Sequence, residues 1–173
     1  MKELLVWTGP VHSGKSTQAL LRAERYLRFG NDVVLARPSS SVRPALGDQP
    51  GMLMTKSGHR FPSLEVDTPA DLLAAADSAD VLWIDEPMLF QRGFDDSLIH
   101  TICDIRKKAI ILVSGLSATS ELGTFGTVMA TIMALADEVF WCKADCDLCG
   151  RMRAATRSLC VVPKIGEVLV GLS

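Results

Sequence analysis

Residues 9–17 read Gly9-Pro10-Val11-His12-Ser13-Gly14-Lys15-Ser16-Thr17, and this stretch decides the fold. Gly9, Gly14, Lys15 and Ser16 fill every fixed position of the pattern G-x-x-x-x-G-K-[ST], whose loop cradles phosphate groups. Glycines let backbone N–H groups turn inward around an anion, and the helix that follows adds its positive N-terminal end. We therefore predict that all nine residues line a nucleotide phosphate site, with Lys15 on the outer phosphates and Ser16 on Mg²⁺.

The composition limits the class of protein. A chain of 173 residues with 48% hydrophobic residues suits one α/β domain with a small appendage. A net charge of −2 gives no general attraction to nucleic acid or to an anionic membrane, so we expect neither as a partner. We see no membrane-spanning run and no signal peptide. Five cysteines, an odd number, argue against a secreted disulfide framework, and we expect a cytoplasmic protein.

Strand and helix patterns alternate along the chain. Apolar strands are predicted at 3–8, 32–37, 81–85, 109–114 and 138–141. Helices are predicted from the loop to about residue 29, from Thr68 as N-cap, over 95–108 and over 127–136. We read 38–51 as a long loop and 52–66 as weak strands in a hairpin. Continuous apolar strands joined by helices predict a parallel sheet covered on both faces.

The predicted organisation has two parts. Residues 1–141 form a P-loop nucleotide-binding α/β domain. Residues 142–173 have different chemistry, with cysteines close together, and we expect them to form a small separate lobe.

A carboxylate pair follows the buried strand at 81–85. Four apolar residues lead directly into Asp85, and Glu86 comes next. A phosphate loop needs a metal-binding carboxylate at the end of a neighbouring strand, and Asp85 is the best candidate. Glu86 is then placed to accept a proton from a nucleophile. The pair alone does not say whether that nucleophile is water or a substrate hydroxyl.

Several segments together carry a family resemblance. They are Gly9–Thr17, Arg37-Pro38 with Arg43, Asp85-Glu86, Gly115-Leu116 with Phe125-Gly126, Ala136–Val139, and Cys146-x-x-Cys149-Gly150. In this order and spacing they resemble the thymidine kinase family of the zinc-containing, RecA-like type. The resemblance implies a RecA-like P-loop sheet with a C-terminal lasso or zinc-ribbon-like lobe, and a homo-oligomer, either dimer or tetramer.

The resemblance also implies roles for individual residues. The nucleotide would be ATP with Mg²⁺, and Arg43 would contact phosphate during transfer. Glu86 would take the proton from the 5′-hydroxyl of a deoxynucleoside substrate. Phe125 would help to wall the nucleoside pocket, and Val170 would belong to the strand that returns from the lasso.

The chain departs from the family pattern near the substrate. Val11 and His12 stand where the family commonly has Met and an aromatic residue, and Ser41 replaces an Asp. Met88 and Leu89, which we predict to contact substrate, replace an amide and an aromatic ring. One interpretation is an acceptor base other than thymine. The other is a non-kinase P-loop ATPase or nucleotide-binding module with a degenerate nucleoside site.

The late cysteines suggest a zinc site. Cys146-x-x-Cys149 has the spacing of half a zinc knuckle. The family has a second pair further on, which this sequence does not contain, so a four-ligand site would have to recruit Cys142 and Cys160. The alternative is that zinc has been lost and these thiols only pack.

Overall fold

The computed structural model describes residues 1–42, 49–55, 58–90, 95–119, 123 and 127–158. Within them, the strands are β1 (Leu4–Gly9), β2 (Val33–Pro38), β3 (Met52–Met54), β4 (Arg60–Pro62), β5 (Leu64–Val66), β6 (Val81–Asp85), β7 (Ile110–Leu116) and β8 (Glu138–Trp141). All except β3 and β4 join in one six-stranded sheet in the order β5-β2-β6-β7-β1-β8. Every neighbouring pair in that sheet is parallel, as predicted.

The helices cover both faces of the sheet. They are α1 (Lys15–Arg28), α2 (Pro69–Asp77), α3 (Asp95–Ile105) and α4 (Val128–Leu135), with short 3-10 helices at Ser39–Ser41 and Pro87–Leu89. Successive strand residues point to opposite faces. Leu4 and Val6 pack under α2, α3 and α4, whereas Leu5 and Trp7 pack under α1. The predicted doubly covered parallel sheet is therefore confirmed.

The hairpin of β3 and β4 completes the face that α1 covers. Phe61 of β4 meets Trp83 of β6 edge to face, with ring centroids 5.9 Å apart. The buried Arg37 of β2 holds the start of the hairpin and the residues that precede it in sequence. Its guanidinium donates to the carbonyl oxygens of Gln49 (3.0 Å) and Met52 (3.2 Å). The hairpin predicted within 52–66 is present.

Two elements differ from the prediction. The last part of 52–66 is not hairpin but β5, which pairs with β2 at the sheet edge. The helix predicted to 108 ends at Ile105. At that end the side chain of Arg106 is buried, where it donates to Leu135 O at 2.9 Å and pairs with Asp137 at 2.6 Å. Arg106 thus ties the end of α3 to the start of β8.

The segment after β8 leaves the sheet beside the phosphate loop. Cys142 is buried, and its N–H donates to Thr8 O at 2.7 Å, which extends the pairing of β8 with β1. Further on, Ala144 and Ala155 form an isolated antiparallel bridge around a turn that contains Cys146 and Cys149. In the part of the chain that the structure describes, no helix has the length and apolar character needed to cross a bilayer.

Candidate functional site

The loop between β1 and α1 has the backbone that its glycines predict. Gly9 has φ 151°, and its Cα lies so close to Cys142 that a Cβ there would overlap the Cys142 carbonyl oxygen. Gly14, with φ 78°, is the N-cap of α1 and needs the left-handed region that glycine enters freely. His12 also has a positive φ of 64°. The loop therefore curls tightly before α1 begins at Lys15, and the N-terminus of α1 faces the curl.

Lys15 lies under the loop and is only 8% exposed. Its ammonium donates to Pro10 O at 2.6 Å and lies 3.5 Å from Ser13 Oγ. Burial lowers the pKa of Lys15, and the nearby carboxylates of Glu86 and Asp85 oppose that shift. A buried cation under a concave loop of backbone N–H groups is suited to an anionic ligand.

Asp85 meets Ser16 at the carboxyl end of the sheet. Ser16 Oγ donates to Asp85 Oδ1 at 3.0 Å, across 69 residues of sequence. Burial raises the pKa of Asp85, while hydrogen bonds from Ser114 and Ser16 and the charge of Lys15 oppose the shift. A hydroxyl and a carboxylate that meet beside a phosphate loop are oxygen ligands of the type Mg²⁺ prefers, so these residues fit the metal of a Mg²⁺–nucleotide.

Glu86 adopts a strained backbone conformation. Its φ of 52° and ψ of 48° lie in the left-handed region, which costs a non-glycine residue roughly 1–2 kcal/mol. Two hydrogen bonds hold it there: Glu86 N–H donates to Ser114 O at 2.7 Å, and Leu89 N–H donates to Glu86 O at 3.0 Å. Such strain concentrates at functional sites. Both carboxylates of the Asp85-Glu86 pair lie close enough to Lys15 to raise its pKa against the effect of burial.

The comparisons with known proteins agree with this geometry. The family model for thymidine kinase matches residues 2–170. The chain belongs to the thymidine kinase family. Thymidine kinase of Coprothermobacter proteolyticus is 30% identical over 159 residues, covering 90% of this chain and 75% of that relative. Thymidine kinase of Pyrobaculum aerophilum is 28% identical, covering 90% and 82%. Membership places the chain among the deoxynucleoside kinases, which are phosphotransferases acting on a nucleoside.

A solved structure supports the fold. AMPPCP-bound DnaA from Aquifex aeolicus superposes with a TM-score of 0.51 at 12% sequence identity, covering 84% of this chain and 42% of DnaA. At that identity the likeness shows the fold alone. The predicted RecA-like P-loop architecture is confirmed.

Some of the other residues singled out by the family resemblance lie in the described part of the chain, and the rest lie outside it. Met88 packs against the buried cluster under α4, and Leu89 is half-buried with its carbonyl oxygen accepting from Ser40 Oγ at 2.7 Å. Ser41 is buried and donates to Pro38 O at 2.7 Å. The others lie outside the described residues: Arg43, Phe125, Cys160 and Val170.

Three of the four cysteines predicted to bind zinc, Cys142, Cys146 and Cys149, lie in the described part of the chain. Cys142 is fixed against β1 by its backbone bond to Thr8 O, and burial raises the pKa of its thiol. Within the described ranges, no three His, Cys, Asp or Glu side chains form a group that could hold a metal. The fourth predicted ligand, Cys160, lies outside the described residues, so the four-cysteine zinc site stays a prediction. Backbone and side-chain hydrogen bonds from Cys149 lower the pKa of Cys146, but two thiols are half of what a closed zinc site needs.

Three contacts at the site were not predicted from the sequence. Ser114 on β7 donates from its Oγ to Asp85 Oδ1 and accepts from Trp83 Nε1 at 2.7 Å. Val11 N–H donates to Ser158 Oγ at 2.9 Å, which brings the segment after β8 onto the loop. A serine inside an apolar strand run gives no local signal for such a role, because the contact depends on which strands are neighbours.

Proposed function

We propose that this protein transfers the γ-phosphate of ATP to the 5′-hydroxyl of a deoxynucleoside. The observation that carries the proposal is the meeting of Ser16 with Asp85 at 3.0 Å, beside the buried Lys15 and the constrained Glu86. The phosphate loop, the proposed metal ligands and the candidate base are residues at one edge of the sheet, which supports the proposal. Family membership supports the same class of reaction.

The loop residues would bind the nucleotide. Lys15 now bonds to Pro10 O, and a β- or γ-phosphate would offer its ammonium a charged partner in place of that carbonyl. The N–H groups that begin α1 would face the same phosphates. Ser16 and Asp85 would ligate the Mg²⁺ that enters with ATP. That ion would neutralise charge on the transferring phosphoryl group.

Glu86 would act as the general base. The left-handed turn fixes the direction of its Cα–Cβ bond, so its carboxylate has fewer positions to sample before it meets a hydroxyl. Accepting the 5′-hydroxyl proton as the oxygen attacks phosphorus contributes about 10²–10⁴-fold to such a step. Arg43, from the segment outside the described residues, remains our candidate for a second positive charge on the phosphates.

The acceptor base is proposed to differ from thymine. The support is the set of departures at Val11, His12, Ser41, Met88 and Leu89, where the family pattern changes while Lys15 and Glu86 keep theirs. The test is to incubate the protein with γ-labelled ATP, Mg²⁺ and a panel of pyrimidine and purine deoxynucleosides. We expect labelled nucleoside monophosphate with at least one acceptor. Labelled inorganic phosphate alone, unaffected by any nucleoside, would support the ATPase alternative instead.

The role of Glu86 has its own test. Glu86→Gln should lower transfer by about 10²-fold or more while ATP affinity changes only a fewfold, because the base acts on the acceptor and not on ATP. Glu24→Gln makes the same chemical change on the outer face of α1, where Glu24 only approaches Arg28 at 4.0 Å, and should keep full activity. Equal transfer by Glu86→Gln and Glu24→Gln would remove Glu86 from the mechanism.

A further inference from the structure

A buried chain of hydrogen bonds runs from the core to the proposed metal ligands. Trp83 Nε1–H donates to Ser114 Oγ at 2.7 Å, and the Ser114 hydroxyl donates to Asp85 Oδ1. Ser16 Oγ donates to the same Asp85 oxygen at 3.0 Å. Trp83 and Ser114 are both fully buried. One carboxylate oxygen thus receives two hydroxyl donors, one from the core side and one from the nucleotide side.

The hydrogen bonds from Trp83 to Ser114 and from Ser114 to Asp85 point in one direction. An indole N–H can only donate, so the Trp83 bond occupies a lone pair of Ser114 Oγ. The one hydrogen of Ser114 is then directed to Asp85. The position taken by the Trp83 N–H is closed to this hydrogen, and turning it to the remaining position would lose the bond to Asp85. Because buried polar groups are costly when left unpaired, the pattern is strongly favoured over its alternatives.

The sheet sets the spacing of the three side chains. Asp85 and Ser114 are directly paired residues of β6 and β7, and Trp83 lies two residues before Asp85, on the same face of β6. Phe61 packs edge to face on the Trp83 ring and holds the indole in place. The carbonyl oxygen of Ser114 also accepts the N–H of Glu86 at 2.7 Å. Ser114 therefore contacts both Asp85, through its side chain, and Glu86, through its carbonyl oxygen.

We propose that Ser114, oriented by Trp83, is a positioning residue that aims the Asp85 carboxylate at the Ser16 hydroxyl and so shapes the Mg²⁺ position of the bound nucleotide. The inference rests on the proposed function only in assigning Mg²⁺ to Asp85 and Ser16. Partners that orient a metal ligand typically change metal affinity by about 10–100-fold when they are removed. Ser114 touches neither phosphate nor metal in this scheme, and its effect passes through Asp85.

The experiment compares the affinity of the full chain for Mg·ADP with its affinity for ADP in EDTA. Ser114→Ala should weaken Mg·ADP binding about tenfold and leave metal-free ADP within about twofold. Trp83→Phe keeps an aromatic ring but removes the N–H donor, and should weaken Mg·ADP binding by about threefold. Because Trp83 acts through Ser114, the double variant should match Ser114→Ala alone.

A second measurement, by NMR spectroscopy, needs no nucleotide. The chain has three tryptophans, so the indole N–H signal of Trp83 in a proton–nitrogen spectrum is the one that Trp83→Phe removes. In Ser114→Ala that signal should move upfield, since its acceptor is gone. Thr8→Val is the matched control, because Thr8 Oγ1 is buried and, among the described residues, has no hydrogen-bond partner. This variant should leave both the signal and Mg·ADP binding unchanged.

Four results would overturn the proposal. One is an equal loss of affinity for Mg·ADP and for metal-free ADP in Ser114→Ala. Another is additive losses in the double variant, and the third is a loss in Thr8→Val as large as that in Ser114→Ala. A wild-type protein that binds Mg·ADP no better than ADP would also overturn it. Tenfold weaker Mg·ADP binding in Ser114→Ala would uphold the inference even if no nucleoside were phosphorylated, so its failure is separable from failure of the kinase proposal.

Discussion

Gly9 is the position where the loop depends most directly on the absence of a side chain. A Cβ added there would overlap the carbonyl oxygen of Cys142, and would lie 3.0 Å from the Cys142 carbonyl carbon and 3.1 Å from Ser13 Oγ. Carbon atoms in contact are normally about 3.5–4.0 Å apart, so the backbone at Cys142 must retreat. That retreat strains the hydrogen bond from Cys142 N–H to Thr8 O, which joins the last strand to β1.

The expected cost of Gly9→Ala has two parts. Overpacking against a backbone atom costs about 1–3 kcal/mol, and a side chain at φ 151° adds strain of about 1–3 kcal/mol. A total of about 4 kcal/mol should lower the thermal midpoint by about 12 °C in a chain of this size. Gly30→Ala is the control, because Gly30 also has a positive φ, of 81°, but a Cβ there meets nothing within 4 Å.

The assay is thermal unfolding followed by circular dichroism, without nucleotide. Gly30→Ala should cost about 1 kcal/mol, or about 3 °C, from backbone strain alone. Equal shifts in the two variants would refute the reasoning, since they would mean that the close approach of Gly9 to Cys142 adds nothing.

Three further outcomes follow from the packing, the caps and the charges. Phe61→Ala should lower the free energy of unfolding by about 3–5 kcal/mol in urea titrations, whereas Phe29→Ala, at a residue 81% exposed, should change it by less than about 0.5 kcal/mol. Thr68→Ala removes the side-chain cap of α2 and should cost about 1 kcal/mol in the same titrations, with Thr68→Ser retaining most of it. The pKa of Asp137 is held below its ordinary value by the N–H of Leu4 and a nearby arginine, so its stabilising contribution is present above the unfolded-state pKa and is lost as pH falls through the lower folded-state pKa. When the pH is lowered, Asp137→Asn should therefore lose less free energy of unfolding than the wild type. An equal loss in the two proteins would count against this contribution of Asp137.

Local patterns in the sequence predict the parts of the molecule that local physics decides. The loop before Lys15 follows from its glycines, and the start of α2 follows from Thr68 and the proline after it. Asp85 could be placed at a strand end because an uninterrupted apolar run leads into it. These predictions need no knowledge of which strands are neighbours.

Features that depend on the order of strands in the sheet could not be predicted from the sequence. The role of Ser114 requires β7 to lie beside β6, and nothing in residues 110–116 alone says so. The strand β5 has three residues and half-exposed Leu64, too short and too irregular for a period-two signal. Arg106 lies within the helix predicted over 95–108, and nothing local indicates that its side chain is buried, because its partners Asp137 and Leu135 O come within reach only in the folded chain.

For Cys142, the zinc-binding role stays a prediction, because it too depends on more than sequence spacing. Sequence spacing brought it close to Cys146 and Cys149, but the backbone bond to Thr8 O keeps Cys142 against the sheet. The spacing of two residues along the sequence limits how far apart they can lie. It does not give the direction in which the backbone continues after a strand. The fourth predicted ligand, Cys160, lies outside the described residues.

The most direct measurement of the central proposal is phosphorus NMR of the products formed from ATP, Mg²⁺ and the best acceptor of the panel. We expect a phosphomonoester signal coupled to the two 5′ protons of the sugar, and in the wild type it should form at the same rate as ADP. In Glu86→Gln both products should form at least about 10²-fold more slowly. ADP accompanied only by inorganic phosphate, with every deoxynucleoside recovered unchanged, would contradict it.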